Sequence, residues 1–179
     1  MSGITHGVFS SNTDEWATPQ DLFDALNEEF HFTLDVCADQ TNHKVSRYFT
    51  KEQNGLIQNW KPYVSWMNPP YGDEIPQWVH KARTTAEGGG IVVGLLPART
   101  DTRWWGEVME ATELRFIKGR LKFGGSKNCA PFPSVIAVWG TPRVPTITLI
   151  DTKGGSLQKG DTPPRKKSGI DLWGDSLDC

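Results

Sequence analysis

Asn68-Pro69-Pro70-Tyr71 closes the short apolar run Val64-Ser65-Trp66-Met67. Proline lacks an N–H and fixes φ, so the pair cannot continue a sheet interior. The run reads as a strand whose carboxyl end opens into a rigid turn bearing an amide and an aromatic ring. Open α/β sheets build their sites at such strand ends, although a Pro-Pro turn also serves purely structural ends. Asp35 lies near the carboxyl end of another buried run, Phe32 to Asp39. A carboxylate there needs a partner, and an ammonium group or the ribose hydroxyls of a nucleoside cofactor would suit; the alternative, a turn cap, fits Asp39 better. Arg115, Lys118, Arg120, Lys122 and Lys127 form a glycine-interrupted basic run with no acid after Glu113. It reads either as an ordinary solvated strand and loop or as a phosphate-tracking surface. No Cys-x-x-Cys spacing points to a metal, and no glycine-rich phosphate cradle follows Asp35. No nucleophile–base pair stands out either.

The elements that carry these residues follow from periodicity. Thr18 is placed as an N-cap, Pro19 as the first helical residue and Asp21 where it can reach back. Leu22, Phe23, Leu26 and Phe30 then recur at helical spacing through about His31. Trp16 is expected either to staple onto that helix or to wall a ligand site. Val45 to Phe49 is a candidate second strand, followed by a turn over 51–55. Ile75, Trp78, Val79 and Ala82 predict a helix from Ile75 to Glu87, stopped by Gly88-Gly89-Gly90. The continuous apolar run Ile91 to Pro97 predicts a strand buried on both faces. Asp101 or Thr102 caps a further helix with Trp104, Trp105 and Val108. Val135 to Trp139 and Thr146 to Ile150 are late strands. The alternation predicts an α/β fold with a mostly parallel, doubly wound sheet and late antiparallel strands.

At 179 residues and a net charge of −2 the chain suits one domain with no global basic field. Residues 1–13 are expected to be disordered, 14–150 to form the domain, and 151–179 to be a flexible tail with Leu172-Trp173 as a minor anchor. Three scattered cysteines (Cys37, Cys129, Cys179) indicate neither a disulfide framework nor a zinc site, and fit a reducing cytoplasm. No run reaches membrane-spanning length, and the polar start is not a signal peptide. Several of the eight tryptophans should pack the core, and exposed ones would offer stacking surfaces.

The ordered set of motifs resembles the small phage adenine N-6 methyltransferases, the phage Dam family. Asn68-Pro69-Pro70-Tyr71 matches the catalytic motif of DNA amino-methyltransferases. Asp14-Glu15-Trp16-Ala17-Thr18-Pro19 and Leu34-Asp35-Val36-Cys37-Ala38 resemble the family's cofactor-binding segments. Lys118-Gly119-Arg120-Leu121-Lys122-Phe123 and Ala130-Pro131-Phe132-Pro133-Ser134 are similar to it as well. The resemblance covers about residues 14–140, and it implies a Rossmann-like class I fold that uses S-adenosylmethionine, bound by Trp16, Thr18, Pro19, Asp35, Cys37, Ala38 and Asn68. Asn54 stands where relatives often carry aspartate, and it is a candidate contact to the cofactor's adenine.

On this resemblance the substrate is double-stranded DNA and the reaction is adenine N-6 methylation without a metal. Asn68 and the Pro69 carbonyl accept the two amine N–H bonds, Pro70 stiffens the turn, and Tyr71 stacks on a flipped base. Arg115, Lys118, Arg120, Lys122 and Lys127 would hold phosphates. Target reading would fall to loops, since the spacing leaves no room for a separate recognition domain. Cytosine N-4 or protein-glutamine methylation would use the same acceptors, and a degenerate nucleic-acid-binding module is the non-enzymatic rival.

Overall fold

The computed structural model describes residues 16–124, 126, 128–142 and 144–157. The expected disordered start, Lys127, Leu172 and Trp173 lie outside the described residues. The elements are α1 (Gln20–Phe30), β1 (Leu34–Asp35), a 3-10 turn (Gly55–Ile57), β2 (Val64–Met67), α2 (Ile75–Glu87), β3 (Ile91–Pro97), α3 (Trp105–Val108), β4 (Glu113–Ile117), β5 (Ser134–Trp139) and β6 (Thr146–Ile150). Six strands form one sheet in the order β1-β2-β3-β5-β4-β6. β1, β2 and β3 pair in parallel, as do β4 and β6, while β5 runs antiparallel to both of its neighbours, β3 and β4.

The apolar run Ile91–Pro97 becomes the central strand, flanked on both sides and buried from Val92 to Pro97. Layers cover both sheet faces. Phe23 of α1 meets Trp66 of β2 edge-on with ring centroids 5.5 Å apart. From the opposite face, Trp139 of β5 directs its indole N–H at the Glu107 carbonyl of α3 at 3.5 Å. This is the doubly wound, Rossmann-like α/β arrangement expected from the alternation.

Several local expectations shift. Pro19, not Thr18, is the N-cap of α1, and no side chain caps it. α1 ends as His31 turns left-handed at φ 54°. The second strand shrinks to one bridge, Asp35 to Tyr48, because tight turns at Asp39 and Asn54 leave only 47–49 extended beside β1. α3 is one turn, without a side-chain cap from Asp101 or Thr102. The chain also does not leave the fold at Asp151. It turns back through Gly154 (φ 87°), with the Asp151 carboxylate accepting from the N–H groups of Lys153 and Gly155, and Leu157 donates to the Leu149 carbonyl. Cys37 is a free thiol. Among the described residues, no helix is long and apolar enough to cross a membrane.

Candidate active site

The carboxyl ends of β1 and β2 are adjacent and parallel, with Asp35 opposite Trp66. This register sets Asp35 and the Asn68 turn side by side. Asp35 is 3% exposed. Its oxygens accept from the backbone N–H groups of Lys44 at 3.1 Å and Cys37 at 3.4 Å, and among the described residues no cation forms an ion pair with it. Burial raises its pKa to about 6, and the two backbone N–H groups together with the nearby Lys44 and His43 charges offset this only in part. A buried acid held by weak partners is a ready acceptor for a cationic or hydroxylated ligand. Its remaining lone pairs can accept from an ammonium or hydroxyl group, the groups a nucleoside cofactor would offer.

Cys37 connects the two loops. Burial pushes its thiol well above the usual range, the nearby Asp35 charge adds to this, and the Asn68 backbone N–H facing it opposes. A group so disfavoured as a thiolate is a packing residue rather than a nucleophile.

Asn68 is half-buried, and both ends of its amide are engaged. Its nitrogen donates to the Trp16 carbonyl at 2.5 Å, and its oxygen accepts from the Tyr71 hydroxyl at 3.0 Å. Tyr71 also reaches the Leu95 carbonyl at 3.1 Å. Its ring is 3% exposed and meets Phe123 and Phe132 edge-on at 6.1 and 5.5 Å. A base could stack on Tyr71 only after Phe132 or Phe123 moved aside. Trp16 packs edge-on against the same two phenylalanines, each at 5.2 Å. Trp16 thus belongs to an aromatic cluster with Phe123 and Phe132, and its carbonyl is an acceptor for Asn68.

Of the other residues implied for the cofactor, Thr18 is buried, while Pro19 and Ala38 are half-buried. Asn54 is exposed at φ 50°, and its side-chain oxygen accepts from the Leu56 N–H, so it caps the 3-10 turn. Gly55 beside it sits where a Cβ would lie 2.1 Å from the Val36 carbonyl, which explains a glycine against the end of β1.

The basic run divides. Arg115 is a correction to the phosphate-binding set. It is 7% exposed, and its guanidinium grips Glu29 of α1 at 2.6 and 2.7 Å and Glu113 at 2.8 and 2.9 Å. Burial opposes its charge, but hydrogen bonds to these two carboxylates more than compensate and raise its pKa further. Lys118 and Lys122 are exposed and Arg120 is half-buried. Their segment is tied to the site, since Gly124 donates to the Ala17 carbonyl at 2.8 Å and Phe123 touches both Trp16 and Tyr71. The Trp16 and Leu95 carbonyls escaped sequence reading because backbone acceptors leave no residue-type signal. The aromatic motifs around Phe123 and Phe132 were the only available hint of a closed wall.

Among the described residues no cluster of three or more His, Cys, Asp or Glu side chains could hold a metal. A protein described as a DNA N-6-adenine-methyltransferase of Haemophilus phage HP1 is 36% identical over 110 residues, which is 60% of this chain and 64% of that protein. The match therefore spans less than two thirds of the phage protein. A putative methyltransferase of Escherichia coli (strain K12), YfdM, is 35% identical over 65 residues, 32% of this chain and 71% of that protein. A solved structure described as a predicted O-methyltransferase of Agrobacterium tumefaciens aligns over 49% of this chain and 39% of its own, with 20% identity and a TM-score of 0.29. With a family model matching residues 7–152, this chain belongs to the DNA N-6-adenine-methyltransferase (Dam) family.

Proposed function

We propose that the chain moves a methyl group from S-adenosylmethionine to the N-6 amine of an adenine flipped out of double-stranded DNA. The observation that carries this is the adjacency of the buried, only partly compensated Asp35 carboxylate and the oriented Asn68 amide at neighbouring parallel strand ends. When bound, the cofactor supplies an electrophilic methyl group. Asp35 anchors its polar groups. Asn68 Oδ1 has a spare lone pair for an amine N–H, and the Pro69 carbonyl is the second acceptor. Two acceptors favour a pyramidal nitrogen and the positive charge that develops on it during transfer. Tyr71, once uncovered, is the stacking surface, and a base–aromatic stack of about 1–3 kcal/mol offsets part of the unstacking cost. Lys118, Arg120, Lys122 and Lys127 track phosphates, and the loops around 41–54 and 72–75 read the target. The proposed setting is the host cytoplasm, and the proposed use is protection of phage DNA from restriction, supported by the phage relative.

Sequencing DNA from expressing cells with base-modification detection tests this reading. N-6-methyladenine at one short site is expected, and plasmid from those cells should resist an endonuclease cutting there. Asn68→Ala should leave no methyl mark, and its loss of cofactor affinity should be far smaller than its loss of turnover. Full turnover by that variant would remove the basis for the assignment. Methyl groups found only on cytosine N-4 or protein glutamine would redirect it.

A further inference from the structure

We infer that the Asn68 amide is locked in one orientation by the Trp16 carbonyl and the Tyr71 hydroxyl, and that Tyr71 is a positioning residue which yields the amide oxygen to the incoming amine. This rests on the functional reading above. The Trp16 contact settles which end of the amide is which. At 2.5 Å from a carbonyl the Asn68 atom must be the N–H donor, because an oxygen there would set two acceptors against each other. The amide oxygen is thereby turned toward Tyr71 and the acceptor geometry is preset.

The Tyr71 hydroxyl has one proton and two acceptors in reach, Asn68 Oδ1 at 3.0 Å and the Leu95 carbonyl at 3.1 Å. Its ring is almost fully buried beneath Phe123 and Phe132, so the two protein oxygens rather than bulk water compete for that proton. Before the amine arrives, the hydroxyl occupies Oδ1 as a substrate N–H later will. When the amine N–H approaches, the hydroxyl proton turns to the Leu95 carbonyl. One hydrogen bond is exchanged for another and no covalent bond changes. Asn68 Oδ1 therefore has a donor both before and after the amine binds, and the Leu95 carbonyl takes up the hydroxyl proton that the amine displaces.

Two variants test the lock. Tyr71→Phe keeps the ring and removes the hydroxyl. The expected result is a kcat lower by roughly tenfold with KM for DNA and cofactor unchanged. Wild-type kcat, or an effect confined to KM, would overturn the positioning role. Asn68→Asp places a carboxylate oxygen against the Trp16 carbonyl, so it must be protonated to keep that contact. Its residual activity should rise as pH falls, and the new carboxyl, followed by carbon NMR on the selectively labelled protein, should titrate well above the ordinary aspartate range. An ordinary titration would overturn the lock. If wild-type protein left adenine unmethylated, the proposed function would fail, and the NMR titration would still decide the lock.

Discussion

Replacing Asp35 with asparagine should stabilise the unliganded protein above pH 6 while weakening its hold on the cofactor. Aspartate ordinarily titrates near 3.8 and here at about 6, because burial outweighs the N–H groups of Lys44 and Cys37. The sign follows from linkage. With its folded pKa raised, the carboxyl's favourable contribution is complete below roughly pH 4 and is lost as the pH rises through about 6. Two pH units at about 1.4 kcal/mol each put the cost of the charged form at roughly 3 kcal/mol at pH 8. Asparagine removes that cost but keeps one acceptor for two N–H groups, losing about 1 kcal/mol. The net expectation is a variant more stable by roughly 2 kcal/mol at pH 8 and less stable by about 1 kcal/mol at pH 4. Urea denaturation at both pH values reads this difference. Calorimetric titration with S-adenosylmethionine should show binding at least tenfold weaker, and wild-type binding should strengthen as pH rises through about 6. A stability difference equal at both pH values would refute the reasoning, since it would mean that Asp35 bears no burial penalty.

Arg115→Ala should destabilise the fold by about 3–5 kcal/mol, because it leaves Glu29 and Glu113 without their shared cation. Chemical denaturation measures this, and the salt slope of DNA binding should stay unchanged. Lys118→Ala and Lys122→Ala should each weaken DNA binding across all sequences and reduce that slope by about 1. Fluorescence anisotropy against salt is the assay, and an unaltered slope would exclude these side chains as phosphate contacts. Gly55→Ala forces a Cβ to within 2.1 Å of the Val36 carbonyl. A loss of about 2 kcal/mol or more in urea denaturation is expected, since the clash is with backbone.

Much of the scaffold was legible in the chain. The helix from Ile75 to Glu87 and the strand from Ile91 to Pro97 appear with the expected bounds. Each is specified locally, by apolar period and by glycines or a proline at its ends. The helix start at Thr18 and the strand at Val45 to Phe49 were read less well, because cap choice and strand length depend on what packs alongside. The Asn54 turn shows the same limit, since its amide is committed to its own backbone.

By itself, then, the sequence determined an α/β alternation and a strand that must stop at Asn68-Pro69-Pro70-Tyr71, because proline stereochemistry acts on its own neighbours. Tertiary structure alone decided how each polar group is spent. Arg115 looked like one cation among five, yet its partner Glu29 lies 86 residues earlier on a helix packed over the sheet. Trp16 reaches Asn68 across 52 residues through a carbonyl that every amino acid carries. Such pairings depend on which strand ends lie side by side, and short-range pattern holds no record of that.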